Sequence, residues 1–359
     1  MKILLVTSVD AWTRSVATIH HWVVAGTRLG HDIAVYGEAD AELPKLKFTT
    51  ALDGVDLALF VVQVPSDFPD MPYLARVLDG IPREKRAILD LWGRYNETLR
   101  VDHDFNHLEK LDGHEAWEWQ DAIAAVSDVI LQPSLHPKRE GVKPFLFHGF
   151  DPGSVVKPYA SASDAVAEWR EKPYGVIYTG SNWQRWHQVR SFLEAYEPVR
   201  GEVGKASLVG WDWSERPGWA IDKAIMGVDT DPVLLDRLDV EVRHGVRFDE
   251  IVGVLGQAKF APVIHRPLFR ELGFVTNRSF ETFYADTIPL LLLPEDFVES
   301  IYGPAARKLV PANGVANWLG DAVKNPEPYW DAVLKTREHL ASRHSYAVRI
   351  KELAEVSAR

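Results

Sequence analysis

Arg278 and Glu281 stand three residues apart in Thr276-Asn277-Arg278-Ser279-Phe280-Glu281, a polar turn that opens a short apolar helix pattern. Free backbone N–H groups at such a start can hold an anion, and an arginine beside them adds charge-assisted hydrogen bonds. The first turn also suits a carboxylate, which can accept hydrogen bonds from a ribose diol. Asn277, Arg278, Ser279 and Glu281 are therefore candidates to hold a nucleotide, although a capped helix with an exposed Arg–Glu pair fits the same residues. Thr179-Gly180-Ser181-Asn182, with Arg185 close behind, is a second place of this kind. Gly180, Ser181 and Asn182 form a small-residue turn whose N–H groups can approach a phosphate, and Arg185 can neutralise it. The turn lacks the Gly-Lys-Ser/Thr ending of a Walker loop and fits an ordinary strand-to-helix turn as well. His265, Arg266 and Arg270 follow an apolar run at 260–264 and could face a diphosphate, although a solvated basic loop fits them as well. Arg247 and Phe248 could lie beside a nucleotide base, although Phe248 fits a core position equally well.

Two acid–base candidates lie in the first half. Asp10, in Asp10-Ala11-Trp12-Thr13-Arg14, follows the first apolar run and could take a proton from an acceptor hydroxyl. His114, in His114-Glu115-Ala116-Trp117-Glu118-Trp119, could do the same or line a pocket. It does not open a zinc helix, because His-Glu-x-x-His needs histidine where the chain has Glu118. Asp10 reads equally well as a turn former, and His114 as the start of an exposed acidic helix. His20 and His21 are neighbours on a helix, point apart, and are not expected to act as a pair. Asp90-Leu91-Trp92 ends another apolar run and is a further acceptor-side candidate.

The elements that must position these side chains follow from periodicity. Residues 2–6, 32–36, 55–62 and 87–91 read as buried strands, and a helical pattern fills 15–29 with Gly30 as its stop. Residues 123–127 and 129–132 suggest one more helix-to-strand passage. The pattern then restarts, with strands at 174–178, 206–209, 260–264 and 289–293 and helices at 185–195, 251–255 and 279–285. Between the halves, 149–172 carries Asp151-Pro152-Gly153 and Ser161-Ala162-Ser163 and reads as a linker. Residues 336–356 read as one charged amphipathic closing helix. The expected architecture is α/β, with two Rossmann-like domains at 1–160 and 170–339 facing a cleft, and residues 340–359 packing back on the first. Ligands in such sheets bind beyond the carboxyl ends of the strands, which puts the site in that cleft.

Composition narrows the chemistry. The 359 residues suit two domains. Lys and Arg total 40 against 51 Asp and Glu, so the net charge of −11 argues against a charge-driven nucleic-acid binder. The absence of cysteine excludes disulfides, thiolate metal sites, iron–sulfur clusters and a thiol nucleophile. No apolar run approaches the ~20 residues of a membrane span, and the first residues lack a signal peptide's length and cleavage site. A cytoplasmic location is expected. There are 13 tryptophans and only 3 methionines, and indole rings can pack a core or stack on sugars and bases. Trp183, Trp186, Trp211 and Trp213 follow second-half strands, where a ligand could touch them or they could equally pack the core, whereas Trp22, Trp169 and Trp330 read as packing.

Arg278-Ser279-Phe280-Glu281, followed by Ala285-Asp286-Thr287-Ile288-Pro289-Leu290-Leu291, resembles the R-x-F-E-x-x-A-x-G-x-x-L-L segment of GT-B glycosyltransferases, and most of all their CgeB-type, spore-maturation-like branch. His148-Gly149-Phe150-Asp151-Pro152 resembles that family's G-x-D-P turn at the domain junction. Arg243-His244-Gly245-Val246 with Phe248-Asp249-Glu250-Ile251 resembles its G-x-V-x-x-x-E-L segment, and His344-Ser345-Tyr346-Ala347-Val348-Arg349 its H-T-Y-x-x-R pattern. These segments cover the second half; the first half shares the architecture. The resemblance implies an acceptor domain, then a donor domain, and a transferase that takes a nucleoside diphosphate sugar, UDP-linked, as substrate with no cofactor and no metal. Glu281 falls on the family's ribose-binding glutamate. Related retaining enzymes carry another acid eight residues earlier, where this chain has Gly273 and, nearest to it, Glu271. A GT-B-like epimerase, a nucleic-acid base glycosyltransferase and an inactive sugar-nucleotide binder share the fold and stay open, as do the acceptor and homo-oligomerisation.

Overall fold

Short apolar runs bounded by turn residues become parallel strands. The computed structural model describes residues 1–12, 15–63, 74–93, 95–96, 100–101, 108–109, 121, 123–218 and 228–357. The first half contains Lys2–Val6 (β1), Asp32–Tyr36 (β2), Phe48–Thr49 (β3), Leu57–Val62 (β4) and Arg86–Asp90 (β5). A small antiparallel pair, Arg100–Val101 (β6) and Leu108–Glu109 (β7), precedes Ile130–Gln132 (β8) and Lys143–Pro144 (β9). Seven of these strands form one parallel sheet in the order β3-β2-β1-β4-β5-β8-β9. β4 is buried at every position, as expected for a parallel strand covered on both faces. Helix Val16–Arg28 (α1) covers one face, and its Trp22 stacks on Phe147 and donates its indole N–H to the Phe147 carbonyl at 2.9 Å.

The second half repeats the plan. Tyr174–Thr179 (β10), Ala206–Val209 (β11), Glu241–Arg243 (β12), Ala258–Val263 (β13) and Ile288–Leu291 (β14) form a parallel sheet in the order β12-β11-β10-β13-β14. Counted from its own first strand, each sheet contains the order 3-2-1-4-5. The winding direction therefore reverses between β1 and β4, and again between β10 and β13. A crevice opens beyond the carboxyl ends of strands at such a reversal.

Two expectations from the sequence need correction. The stretch 149–172 is not all linker, because Ala162–Arg170 (α2) is a helix. Ser161 caps it by accepting the Asp164 N–H, and Ala165 and Trp169, one turn apart, face the second core. Trp169 donates to the Lys259 carbonyl at 2.7 Å and meets Phe260 edge-on. The closing helix is two helices, Glu327–Arg343 (α5 below) and Tyr346–Ser357 (α6), with Trp186–Tyr196 (α3) and Arg278–Tyr284 (α4) before them. It breaks because the His344 carbonyl accepts the Phe150 N–H at 2.8 Å and Ser345 bridges to Phe150, which pins the chain to the domain junction.

Beyond that break, Tyr346, Ile350 and Leu353 join the first domain's core beside Val16, Trp22 and Phe147. α5 belongs to the other core, through Trp330, Val333 and Leu340. The carboxyl-terminal helices thus strap the two domains together. Leu353→Ala is expected to cost about 2–5 kcal/mol, the usual range for a buried leucine, as read from urea unfolding of the full chain. No helix among the described residues is long and apolar enough to cross a membrane.

Candidate functional site

Both winding reversals open on one cavity of about 410 Å3. Gln63, just past β4, lines it from the first domain; Thr179 and Gly180 at the end of β10, and Ile264 and His265 past β13, line it from the second. Glycines make the second-domain wall thin. β10, β11 and β12 lead into Gly180, Gly210 and Gly245, all of which line the cavity. Gly180 and Gly210 have φ of +144° and +155°, which side chains rarely adopt. A Cβ on Gly210 would lie 2.0 Å from the Gly180 carbonyl oxygen, and one on Gly245 would lie 2.3 Å from the Trp211 indole. Gly210→Ala is expected to lower the urea midpoint, with a cost of about 1–3 kcal/mol for the overpacked turn.

Three arginines meet at this cavity. Arg185, Arg266 and Arg278 all line it, from three separate segments of the second domain. Arg278 is ion-paired with Glu281 at 2.8 Å. Among the described residues, Arg185 donates only to the Ser181 carbonyl, at 3.0 Å, and its Nε has no partner. Arg266 lies over Trp92 and Phe269, with its carbon 4.5 and 5.3 Å from the ring centroids, and its Nε is also unpartnered. Burial, and then the charge of Arg185, hold the Arg266 guanidinium well below its ordinary range. Neither Arg185 nor Arg266 pairs with a carboxylate among the described residues. Half-buried cations of like charge without counterions repel each other, and an entering anion removes that cost.

A second cavity of about 430 Å3 adjoins the first, sharing His148 and Asn277 with it. Glu281 faces this one. It is 4% exposed and accepts from Asn277 Nδ2 at 3.3 Å, so the Arg278–Glu281 pair bridges the two spaces. Asn277 caps α4 by accepting the Arg278 N–H at 2.9 Å. Ser279 is buried beneath, 3.4 Å from His265 Nε2. His265 does not supply a cation: burial, then Arg185 and Arg270, push its pKa down to about 3. Arg270 is exposed and does not line either cavity.

Other candidates hold the walls in place. Ser181 lines the first cavity, whereas Asn182 is buried behind it and donates to the Asp212 and Asp229 carbonyls at 2.8 and 2.7 Å. Arg247 reaches across to the Glu42 carbonyl of the first domain at 3.1 Å and lines neither cavity. Asp10 accepts the Trp12 N–H at 2.9 Å and shapes a loop whose Trp12, not Asp10, lines the first cavity. His114 lies outside the described residues. Asp90 is fully buried and accepts from the N–H groups of Trp92, Gly93 and Tyr95 and from Gln132, so it builds the turn that presents Trp92. Glu271 is ion-paired with Lys138 of the first domain. Trp211 is at the cavity, but Trp186 and Trp213 are buried in the second core, with Trp213 bonded to the Gly180 carbonyl. Trp22, Trp169 and Trp330 pack as expected.

The sequence reading assigned no role to His148. It is 4% exposed, its Nδ1 lies 2.8 Å from Thr18 Oγ1, and it lines both cavities from the first-domain side. Its signal was its place in the junction turn, which carries no chemistry by itself. Burial pushes it down to about 3. Like His265, it would titrate near 6.5 once unfolded. The unfolded chain therefore binds more protons between about 3 and 6.5. Stability should be complete above 6.5 and fall as the pH drops through that window, by up to ~1.4 kcal/mol per pH unit per histidine. Urea unfolding at pH 7.5 and 4.5 checks this, and His265→Gln should flatten the dependence. Among the described residues, no three His, Asp or Glu side chains gather as a metal site.

No protein-family model matches the chain, and no curated protein matches it. Solved structures do, along their whole length. An alpha-glucosyltransferase in complex with UDP-glucose and DNA containing an abasic site aligns with a TM-score of 0.58 and 9% identity, over 99% of this chain and 98% of the other. Anabaena HepE in complex with UDP gives 0.56 and 12%, over 100% of both chains. T4 phage BGT in complex with UDP and Mn2+ gives 0.54 and 14%, over 99% of both. The chain has the GT-B fold. In GT-B terms, the three arginines and Glu281 stand on the second Rossmann-like domain, and Trp12, Gln63, Trp92 and His148 face them from the first.

Proposed function

We propose that the chain is a glycosyltransferase that moves a sugar from a UDP-linked donor to an acceptor hydroxyl in the cleft. The observation that carries this reading is the meeting of Arg185, Arg266 and Arg278 at one cavity, two of them without a carboxylate partner among the described residues. A diphosphate is the anion that such a cluster suits, and Glu281 is placed one step away to accept hydrogen bonds from a ribose. Structures of the same fold that bind UDP or UDP-glucose support the choice of nucleotide. The segments around Arg278, Arg243 and His344 favour the CgeB-like branch.

In the reaction, the bond between the anomeric carbon and the diphosphate oxygen breaks, the acceptor oxygen bonds to that carbon, and the hydroxyl proton passes to the departing diphosphate. Charge builds on the leaving diphosphate, where fixed cations lower the barrier most. The arginines do this without a metal in our reading, so transfer should persist in excess EDTA. His148 faces the acceptor side and holds the incoming hydroxyl, while Asp10 and Asp90 shape that wall.

The test is product analysis on a panel of nucleoside diphosphate sugars. Release of UDP from one donor, faster with a matching acceptor, is the expected result. An altered sugar nucleotide without UDP release would replace transfer by epimerisation. Transfer only to duplex DNA would support base modification, the reading that the DNA-bound structures of this fold keep in play.

A further inference from the structure

A third cavity, of about 770 Å3, lies at the domain junction and shares no lining residue with the two cleft cavities. Its walls come from three bodies. Lys143 belongs to β9 of the first domain, His339 and Arg343 to α5 of the second, and Arg349 to the crossing helix α6. The lining is rich in cations. Arg349 is 2% exposed; it pairs with Glu352 at 2.6 Å and contacts His344 Nδ1, and its Nε has no partner. Lys143 and Arg343 pair with no carboxylate among the described residues. Against them stands Glu355, the one remaining acid of the lining among the described residues, on exposed α6 surface.

The two histidines report the local field. His339 and His344 are lowered first by burial and then by neighbouring positive charge, from Arg343 in one case and from Arg349 and Arg343 in the other. His344 is brought down to about 3. The lining itself carries Lys143, Arg343 and Arg349 against Glu352 and Glu355, and Glu352 is taken up by Arg349. Its volume is well within the range of small-ligand sites, and its cations come from elements that only the folded junction brings together.

We infer that this junction cavity is a second ligand site, separate from the cleft, that takes a small phosphate-bearing anion. Lys143 and Arg343 would contact it from opposite domains, and Arg349 from the floor. Such a ligand would tie β9, α5 and α6 together. The inference does not depend on the activity proposed for the cleft.

Inorganic pyrophosphate is a sufficient probe, titrated calorimetrically into the full chain. Arg185→Ala, Arg266→Ala and Arg278→Ala together first remove the cleft's own phosphate-binding cations. That variant is expected to retain one pyrophosphate site. Adding Lys143→Ala and Arg343→Ala should weaken the site about tenfold or more, with an unchanged circular dichroism spectrum, since neither side chain is in a core. The inference is overturned if the cleft variant binds no pyrophosphate. It is equally overturned if loss of Lys143 and Arg343 leaves the affinity as it was.

Discussion

Arg185→Ala is expected to lower kcat/KM about a hundredfold while leaving the empty protein as stable as before, or more so. The two halves of that result have one cause. Among the described residues, Arg185 gives a single hydrogen bond, to the Ser181 carbonyl, and it disfavours the charged form of Arg266. Removing it relieves repulsion in the empty cleft. With a diphosphate bound, the same guanidinium would make charge-assisted hydrogen bonds, each worth about 1.5–3 kcal/mol, and these strengthen as charge develops on the leaving group. A residue kept for packing would behave in the opposite way, lowering stability and leaving nucleotide affinity alone. Urea unfolding without ligand, set beside UDP affinity and turnover, separates the two cases.

Glu281→Gln carries the second large effect. In the structure this carboxylate is almost fully buried, ion-paired with Arg278 and bonded to Asn277. If it accepts hydrogen bonds from a ribose diol, the amide loses one acceptor and the charge that holds Arg278 in place. UDP affinity should fall about 10- to 100-fold. A comparison of sugars sharpens this. The wild-type protein should prefer UDP to its 2′-deoxy analogue, and Glu281→Gln should lose most of that preference. Equal weakening toward both ligands would mean that Glu281 acts only through Arg278.

The sheet strands were legible because a parallel strand buried on both faces is written as a continuous apolar run, as in Leu57–Val62. The Gly180 turn and the Arg278–Glu281 pair were legible for a related reason, since each is a local arrangement next to a strand or helix end. What lay beyond the sequence was mostly decided at long range. Helix α2 was hidden because Asp151-Pro152-Gly153 and Ser161-Ala162-Ser163 give the stretch leading into it the composition of a linker, and only contact with Lys259 and Phe260 shows Trp169 to be core. The closing helix breaks at His344 because the chain must bond to Phe150, nearly two hundred residues earlier. The position of His265 after a strand shows that it can face a ligand but not its charge, which burial and then Arg185 hold neutral. His148 gained importance only when folding set it opposite the arginines. Asp90, placed on the acceptor side from its position, turned out to spend its carboxylate on three backbone N–H groups.

The central claim is that the cleft is built for a nucleoside diphosphate, with its cations waiting for an anion. Calorimetric titration of the full chain with UDP, in EDTA, tests it most directly. The account predicts saturable one-to-one binding that weakens at least tenfold in Arg185→Ala and in Glu281→Gln. UDP that fails to bind, or that binds both variants as tightly as the wild type, would contradict it.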